Sequence, residues 1–408
     1  MNITFLAGYF LPEKSADTHL NANLVEDFSL YGANINVIVP FPNRGLDEEE
    51  VEKCEELRQQ KINERLIIRR IGKKSKFKNG LLARSFSLFK KTIALYKESR
   101  KYKTDCYFIV SSPPFLGYLA RSLSKKAPVV YKLQDVFPDN LIKTKKMSEK
   151  NFFVKILRRL EKDVYNSVSC ILVCSEDVKK TLLSRGVSAS KISVVHDWID
   201  GETCVHIDRD RNPLFDEFGI NRDDFIFCYA GNIGHMQNID TIISAAKILK
   251  EKAPRIKIVI IGEGACKQAM LSRIETEDIP NIVTMPMQPL ERVSMVYSLG
   301  NVGLVSLKKD VSKTALPSKT WSIMSAGTPV LCEIDLDCEL ANIIESQSLG
   351  FCVPPGDADA MAEKMIQLYK LEQEELRSMG GRCREYILEN LNRKQSTLKC
   401  FNEIKKII

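Results

Sequence analysis

DCYFIVSSPPFLGYLARSLSKKAPVVYKLQD, residues 105–135, decides the fold. Cys106–Val110 and Val129–Leu133 are apolar runs rich in β-branched and aromatic residues. Runs of this kind are strands buried on both faces. GYLARSLSKK, between them, carries a helical pattern. Strand, helix, strand in succession means a parallel sheet covered by helices.

The same pattern extends in both directions. NITFLAGYF, HLNANLVEDFSLYG and NINVIVPFP repeat it upstream, and SCILVCS, EDVKKTLLSRG and KISVVHDWID downstream. After a polar stretch, DGETCVHIDRDRNPLFDEFGINRDD, it restarts at FIFCYAGNIG. IKIVIIGEG, NIVTMPM, VGLVSLK, TPVLCEI and GFCVPPGD add further strands. At 408 residues the chain is too long for one ordinary core. The expected fold is α/β, two Rossmann-like doubly wound domains facing a cleft, at residues 1–197 and 198–384, with the boundary region at 197–224. A helix at about 385–408 is amphipathic and is expected to cross back onto the first domain.

The composition, 44% apolar and 27% charged, is that of a soluble globular protein. The net charge of +8 is concentrated between Lys73 and Lys162, in KKSKFK, FKKTIALYKESRKYK, IKTKKMSEK and KILRRLEK. A basic first half facing an anionic surface explains this, as does an ordinary lysine-rich exterior. None of the twelve cysteines forms a Cys-x-x-Cys pair, and most lie in apolar strands, so free thiols in a reducing cytosol are expected. MNITFLAGYFLPE reads as a first strand rather than a signal peptide, and no apolar run approaches the roughly 20 residues of a membrane span. The expected location is cytoplasmic, peripheral on the inner face of a membrane. With histidines only at 19, 196, 206 and 235, no metal site is expected. No His-Glu-x-x-His, Gly-x-Ser-x-Gly, Walker loop or nucleic-acid signature is present, and no nucleic-acid partner is expected.

Functional chemistry is expected where strands end, because ligands of doubly wound sheets sit outside the carboxyl ends. In YAGNIGHMQNID, Gly231, Asn232 and Gly234 end a strand and open a helix, so backbone N–H groups can approach an anion closely. A tight strand-to-helix turn would use the same residues. IIGEGACKQAM places Glu263 between Gly262 and Gly264 at a second strand end. In TALPSKTWSIMSAGTPVL, Ser318 and Lys319 stand at a helix start and suit a diphosphate; an N-capped helix with a solvated lysine is the plainer alternative. In the first half, Asp135 directly follows a buried strand, where a carboxylate acts as a base or orients a hydroxyl, or simply forms a turn. The loop after the first strand carries Glu13, Lys14, Asp17 and His19. A lone histidine there is more often structural than catalytic.

The chain resembles the retaining glycosyltransferases of family 4, of GT-B fold, in the branch that builds bacterial surface polysaccharide (O-antigen or capsule) and includes N-acetyl-fucosaminyltransferases. The resemblance is carried nearly end to end by YFLPE, LQDVFPDN, YAGNIGHMQNID, IIGEGACKQ, LPSKTWSIMSAGTPVL, DCELANIIE and GFCVPPGDADAMAEKM. It implies a nucleotide-sugar donor held by the second domain and a lipid-linked (undecaprenyl-diphosphate) saccharide as acceptor. Gly231, Asn232 and Gly234 would approach the diphosphate, with Ser318 and Lys319 supplying hydroxyl and charge. Backbone at Met285–Met287 would meet the base, and Glu339 the donor sugar or ribose. Asp135 would lie near the reacting sugar, with Glu13 and its loop on the acceptor side; these two are the catalytic candidates. The family's glutamate pair is absent: Thr314 and Ser322 stand in its places, and His235, Met236 and Gln237 stand where many members have a cation. A front-face process needs no strong protein base and no metal cofactor if Lys319 and the N–H groups stabilise the leaving diphosphate. A sugar-nucleotide 2-epimerase of the same fold, a dinucleotide-dependent oxidoreductase and an inactive membrane-associated scaffold remain alternatives.

Two apolar stripes lie in the basic half: Leu82, Phe86, Phe89, Ile93 and Tyr96, and then Phe153, Ile156, Leu157, Leu160 and Val164, the latter among Lys155, Arg158, Arg159 and Lys162. They suit packing on the sheet, or an anionic membrane surface beside which such an acceptor would be found.

Overall fold

A computed structural model describes the chain except residues 14–16, 43–45, 47, 57, 73–80, 140–141, 143–147, 149, 200, 202–203 and 315, and except the side chains of 81–88 and 115. Lys14, the KKSKFK run, most of IKTKKMSEK and the side chains of Leu82 and Phe86 thus lie outside the described residues. The chain divides into two compact units, Met1–Asp197 with Arg393–Ile408, and Trp198–Asn392.

The first unit is an eight-stranded sheet of order β3-β4-β2-β1-β5-β6-β7-β8. Its strands are β1 (Asn2–Leu6), β2 (Asn34–Pro40), β3 (Gln59–Lys61), β4 (Leu66–Ile71), β5 (Cys106–Val110), β6 (Val129–Leu133), β7 (Cys170–Val173) and β8 (Ile192–Val194). Only the β3–β4 pair is antiparallel. The helices are α1 (Thr18–Leu30), α2 (Glu48–Glu56), α3 (Leu81–Ser99), α4 (Gly117–Leu123), α5 (Phe152–Ser167) and α6 (Glu176–Ser184). β5 and β6, the strands of the opening stretch, are buried at every residue, as sheet covered on both sides requires. Right-handed crossovers place α3, α4 and α5 on one face and α1 on the other. In agreement, α4 packs on α5. At the sheet centre Phe5 stacks on Phe108 with ring centroids 5.1 Å apart, and Phe28 of α1 meets Phe108 edge-on.

The second unit is a six-stranded parallel sheet, β11-β10-β9-β12-β13-β14. Its strands are β9 (Phe225–Ala230), β10 (Ile256–Ile261), β11 (Ile282–Met285), β12 (Val302–Ser306), β13 (Val330–Glu333) and β14 (Gly350–Val353). Its helices are α7 (Leu214–Glu217), α8 (Ile239–Lys252), α9 (Lys267–Thr276), α10 (Val293–Tyr297), α11 (Lys319–Ser325), α12 (Glu339–Ser346), α13 (Ala358–Tyr369) and α14 (Gln373–Asn390). Phe227, Ile258 and Leu304 bring three strands into one core with Ile242, Ala246 and Leu249 of α8 and Met365 of α13.

The tail read as one helix from about 385 is two. α14 ends at Asn390 within the second unit, and α15 (Arg393–Ile407) belongs to the first. α15 lies on α1: Phe401 meets Phe28 with centroids 5.4 Å apart, and Arg393 reaches Asp27 at 2.8 Å. All twelve cysteines are free thiols; ten are buried, with Cys266 and Cys352 half-buried.

Candidate functional site

A doubly wound sheet offers a crevice where successive strands depart in opposite directions from a central one. In the second unit that point lies between β9 and β12. The loop leaving β9 is Gly231–Asn238, and the sequence places its three polar or glycine candidates there. Gly231 adopts φ +142°, a region that L side chains avoid. Two further glycines let backbones touch: a Cβ on Gly262 would fall 1.9 Å from the Gly231 carbonyl oxygen, and one on Gly264 2.2 Å from that of Ile233. Asn232 accepts from the Tyr229 hydroxyl through its carbonyl oxygen at 2.7 Å. Gln237 Oε1 accepts from the Gly234 N–H at 3.2 Å. The Lys308 N–H, in the loop after β12, donates to the Met236 carbonyl at 3.0 Å. The loop is therefore held from both sides of the switch point.

Lys319, the first residue of α11, reaches this loop. A Cβ on Gly231 would stand 3.2 Å from Lys319 Nζ. The side chain is half-buried, yet Nζ itself is sealed from water and has no hydrogen-bond partner among the described residues. It lies 3.9 Å above the centroid of the Tyr229 ring. A ring face attracts a cation but does not replace its hydration shell. Burial accordingly pulls its pKa down from 10.5 to about 7, weakly opposed by the Cys332 thiol. An anion arriving beside Gly231 would supply the missing partner. Tyr229, not singled out in the sequence, thus serves twice, as platform for the ammonium and as tether of Asn232. Its signal was position, an aromatic one residue before the strand's last, and this is indistinguishable from a core aromatic without coordinates.

Behind the loop lies Glu333, the last residue of β13 and completely buried. Its Oε1 accepts from Asn238 Nδ2 and from the Gly356 N–H, each at 2.6 Å, and its Oε2 from the Ser306 hydroxyl at 2.6 Å. Burial raises its pKa, and these donors counter the rise. One carboxylate ties together the α8 N-terminus, the end of β12 and the loop after β14. The sequence clue was a lone acid in the apolar run PVLCEI.

The other candidates in this unit are placed less closely. Ser318 is exposed, and its side chain makes no cap bond to α11. Glu263 turns its carboxylate to Lys267 of α9, and its backbone carbonyl accepts from Ile233 N–H at 2.8 Å, so it shapes the loop. Met285 is buried at the end of β11, with its carbonyl accepting from the Gly262 N–H at 3.4 Å; Met287 is half exposed. Glu339 is half-buried in the first turn of α12, with its charge felt by Tyr386. At the positions of the absent glutamates, Thr314 is buried and its hydroxyl donates to the Val311 carbonyl at 3.2 Å; Ser322 is half-buried.

In the first unit, Asp135 is exposed just past β6 and lines a small pocket with Tyr118, Tyr131, Phe137 and Glu161. Glu161 is held by Arg185, 2.9 Å from each carboxylate oxygen. Glu13 is different: it is 5% exposed, and its Oε2 accepts from the Phe10 N–H at 3.4 Å, folding the loop back on itself. Arg70 and Lys91 feel its charge. That placement gives Glu13 a part in shaping its loop. Among the described residues no group of acids, histidines or cysteines is placed to hold a metal, and no helix is long and apolar enough to cross a membrane.

Residues 22–203 match the sequence model of Glycosyltransferase Family 4, and residues 210–385 that of Glycosyl transferases group 1. Among curated proteins, a probable glycosyltransferase WbjE of Pseudomonas aeruginosa is 24% identical over 63% of this chain and 63% of its own length. WcaI of Escherichia coli, a putative colanic acid biosynthesis glycosyl transferase, is 23% identical over 60% and 59%. These matches span about three fifths of each relative. An Escherichia coli UDP-Gal:alpha-D-GlcNAc-diphosphoundecaprenol alpha-1,3-galactosyltransferase is 23% identical over 76% of this chain and 78% of its own. Among solved structures, sucrose-phosphate synthase of Thermosynechococcus elongatus superposes with TM-score 0.75 at 14% identity over 99% of this chain and 98% of its own. HepE of Anabaena, solved with UDP and glucose, gives 0.73 at 12% over the whole of both chains. Likeness at such identity shows the fold, GT-B, and the fold alone.

Proposed function

We propose, for a chain that belongs to the family 4 and group 1 glycosyltransferases with one family in each half, that it moves a sugar from a nucleotide-sugar donor to a lipid-linked saccharide. The acceptor is an undecaprenyl-diphosphate-linked glycan of bacterial O-antigen or capsule assembly, and the anomeric configuration is retained. The observation that carries the donor half is the sealed, unpartnered ammonium of Lys319 beside Gly231. A diphosphate there gains a charge-assisted contact from Lys319 and N–H groups from the glycine loop. Charge grows on that diphosphate as the glycosidic bond breaks, so a preorganised cation favours the transition state over the ground state. With this charge in place the reaction proceeds without a metal. The base would lie by Met285–Met287, with Ser318 and Glu339 toward the phosphate and the sugar. Asp135 orients or stabilises on the acceptor side. WcaI, with its colanic acid assignment, and the diphosphoundecaprenol-linked acceptor in the galactosyltransferase's name support the choice of acceptor. A protein serving such an acceptor works peripherally at the inner face of the membrane, where its basic first half meets anionic lipid.

The experiment is a panel of UDP-, GDP- and dTDP-sugars with an undecaprenyl-diphosphate-linked saccharide, followed by mass spectrometry and by NMR of the new linkage. Transfer with retained configuration is expected from one donor. No transfer and no nucleotide release from any donor overturns the reading, and an inverted product overturns the stereochemistry.

A further inference from the structure

The apolar stripe of α5 was expected to pack on the sheet or to face lipid, and its orientation decides between them. The helix buries Val154, Glu161, Val164 and Tyr165. Its other large apolar residues point elsewhere: Phe152 is 70% exposed, Phe153 63%, Ile156 40% and Leu160 37%. At spacings of one, four and eight from Phe152 they form one continuous outer strip. Beside it on the exposed surface run Lys155, Arg159 and Lys162. Asn151 caps the helix, its Oδ1 accepting from the Phe153 N–H at 2.9 Å, so the two phenylalanines sit on an ordered first turn. Single exposed apolar residues need no explanation, but a contiguous strip does. α3, on the same face of the sheet, repeats the combination with Phe89 59% and Ile93 39% exposed next to exposed Lys90 and Lys97.

We propose that the outer face of α5 is a membrane-insertion surface, in which Phe152, Phe153, Ile156 and Leu160 enter the acyl boundary of an anionic bilayer while Lys155, Arg159 and Lys162 meet its headgroups. The inference deepens the proposed function and rests on a lipid-linked acceptor. Charge selects this occupant. A second copy docking by the same strip would bring two sets of three cations together, whereas an anionic leaflet neutralises them. The strip matches a bilayer's depth profile, with apolar tips outermost and cations at their flank. Phe89 and Ile93 provide a second contact.

The test uses the full chain in flotation with phosphatidylcholine vesicles, with and without phosphatidylglycerol. The wild type is expected to float only with anionic vesicles, and less at high salt. The double variant Phe152→Ser/Phe153→Ser is expected to lose binding about tenfold or more, and Lys155→Gln/Arg159→Gln/Lys162→Gln to lose its preference for anionic lipid. A Phe153→Trp variant should show a blue-shifted emission with vesicles, the mark of a dry ring. Circular dichroism and melting of each variant establish that it is folded. Absence of wild-type binding overturns the proposal, as does unchanged binding by the folded phenylalanine variant. Concentration-dependent dimerisation of the wild type that this variant abolishes assigns the strip to self-association and overturns it too. Nucleotide release from the donor in vesicle-free solution reports on the transferase reading separately, and the surface variants should leave it unchanged.

Discussion

Lys319 is the residue on which most of the site's chemistry turns. Its pKa near 7 means that the free protein loses this proton just above neutrality. A bound diphosphate favours the ammonium, so above pH 7 binding must take up a proton. Donor affinity is then expected to be greatest below about pH 7 and to fall above it by up to tenfold per pH unit. Calorimetry in buffers of different ionisation enthalpy measures the uptake; buffer-independent heats at pH 8 would refute it. The folding effect has the opposite sense. Between about 7 and 10.5 the unfolded chain holds a proton that the folded chain lacks, so this group's contribution to stability rises with pH through that window. Below it the full burial penalty remains. Lys319→Met should therefore raise Tm at pH 6.5 by a few degrees, about 1–2 kcal/mol, while lowering transfer roughly a hundredfold or more. A fall in both would mean that the ammonium is structurally satisfied. Gly231→Ala acts on the same contact from the other side. Its Cβ would press on Lys319 at 3.2 Å from a strained φ, so a loss of about 1–2 kcal/mol in stability and weaker donor binding are expected. Thermal melts with and without nucleotide measure both.

At the scale of elements, the second unit's site is a set of loops held to one another rather than to solvent. Glu333 is their shared acceptor, serving the start of α8, the end of β12 and the turn after β14. Removing the carboxylate strands an amide, a hydroxyl and a backbone N–H in the interior. Glu333→Ala should cost about 2–4 kcal/mol, and Glu333→Gln less, because Gln keeps one acceptor oxygen and Ser306 can accept from the new amide. Denaturant melts give the stability order, and hydrogen exchange of Asn238 and Gly356 should speed up in the alanine variant. Equal loss in both variants would mean that the charge, not the hydrogen-bond pattern, matters. The element scale is also where sequence periodicity stopped short. In α5 the spacing identified an apolar stripe, but the buried face is centred on Val154, Glu161 and Val164 and leaves most of that stripe outside. A helix with two apolar faces reads as one broad stripe until a neighbour takes one of them.

At the scale of the molecule, the chain returns to its first unit at its end. α15 buries Cys400, Phe401 and Ile404, and Arg393 and Thr397 both bond Asp27 of α1. Ending the chain at Asn392 uncovers Phe28 and leaves Asp27 nearly buried without those partners. The expected result is a first unit that melts several degrees earlier, or without cooperativity, beside an unchanged second unit. Hydrogen exchange resolved by unit measures this, and an unchanged first unit would show α15 to be an ornament. Two doubly wound units, the burial of their strands and the glycine loop were legible beforehand. Strand burial is written in contiguous apolar runs, and close backbone approach in glycines, both local properties of the chain. Lys319 was legible as a residue but not as a desolvated cation, and Tyr229 and Glu333 were not legible as parts of the site. Those three depend on which side chains surround a polar group, and that is set by residues from strands far apart in sequence: Gly231 against Lys319, and Asn238 and Ser306 against Glu333. Desolvation and hydrogen-bond partnership are properties of a neighbourhood, and a neighbourhood exists only once the chain has folded.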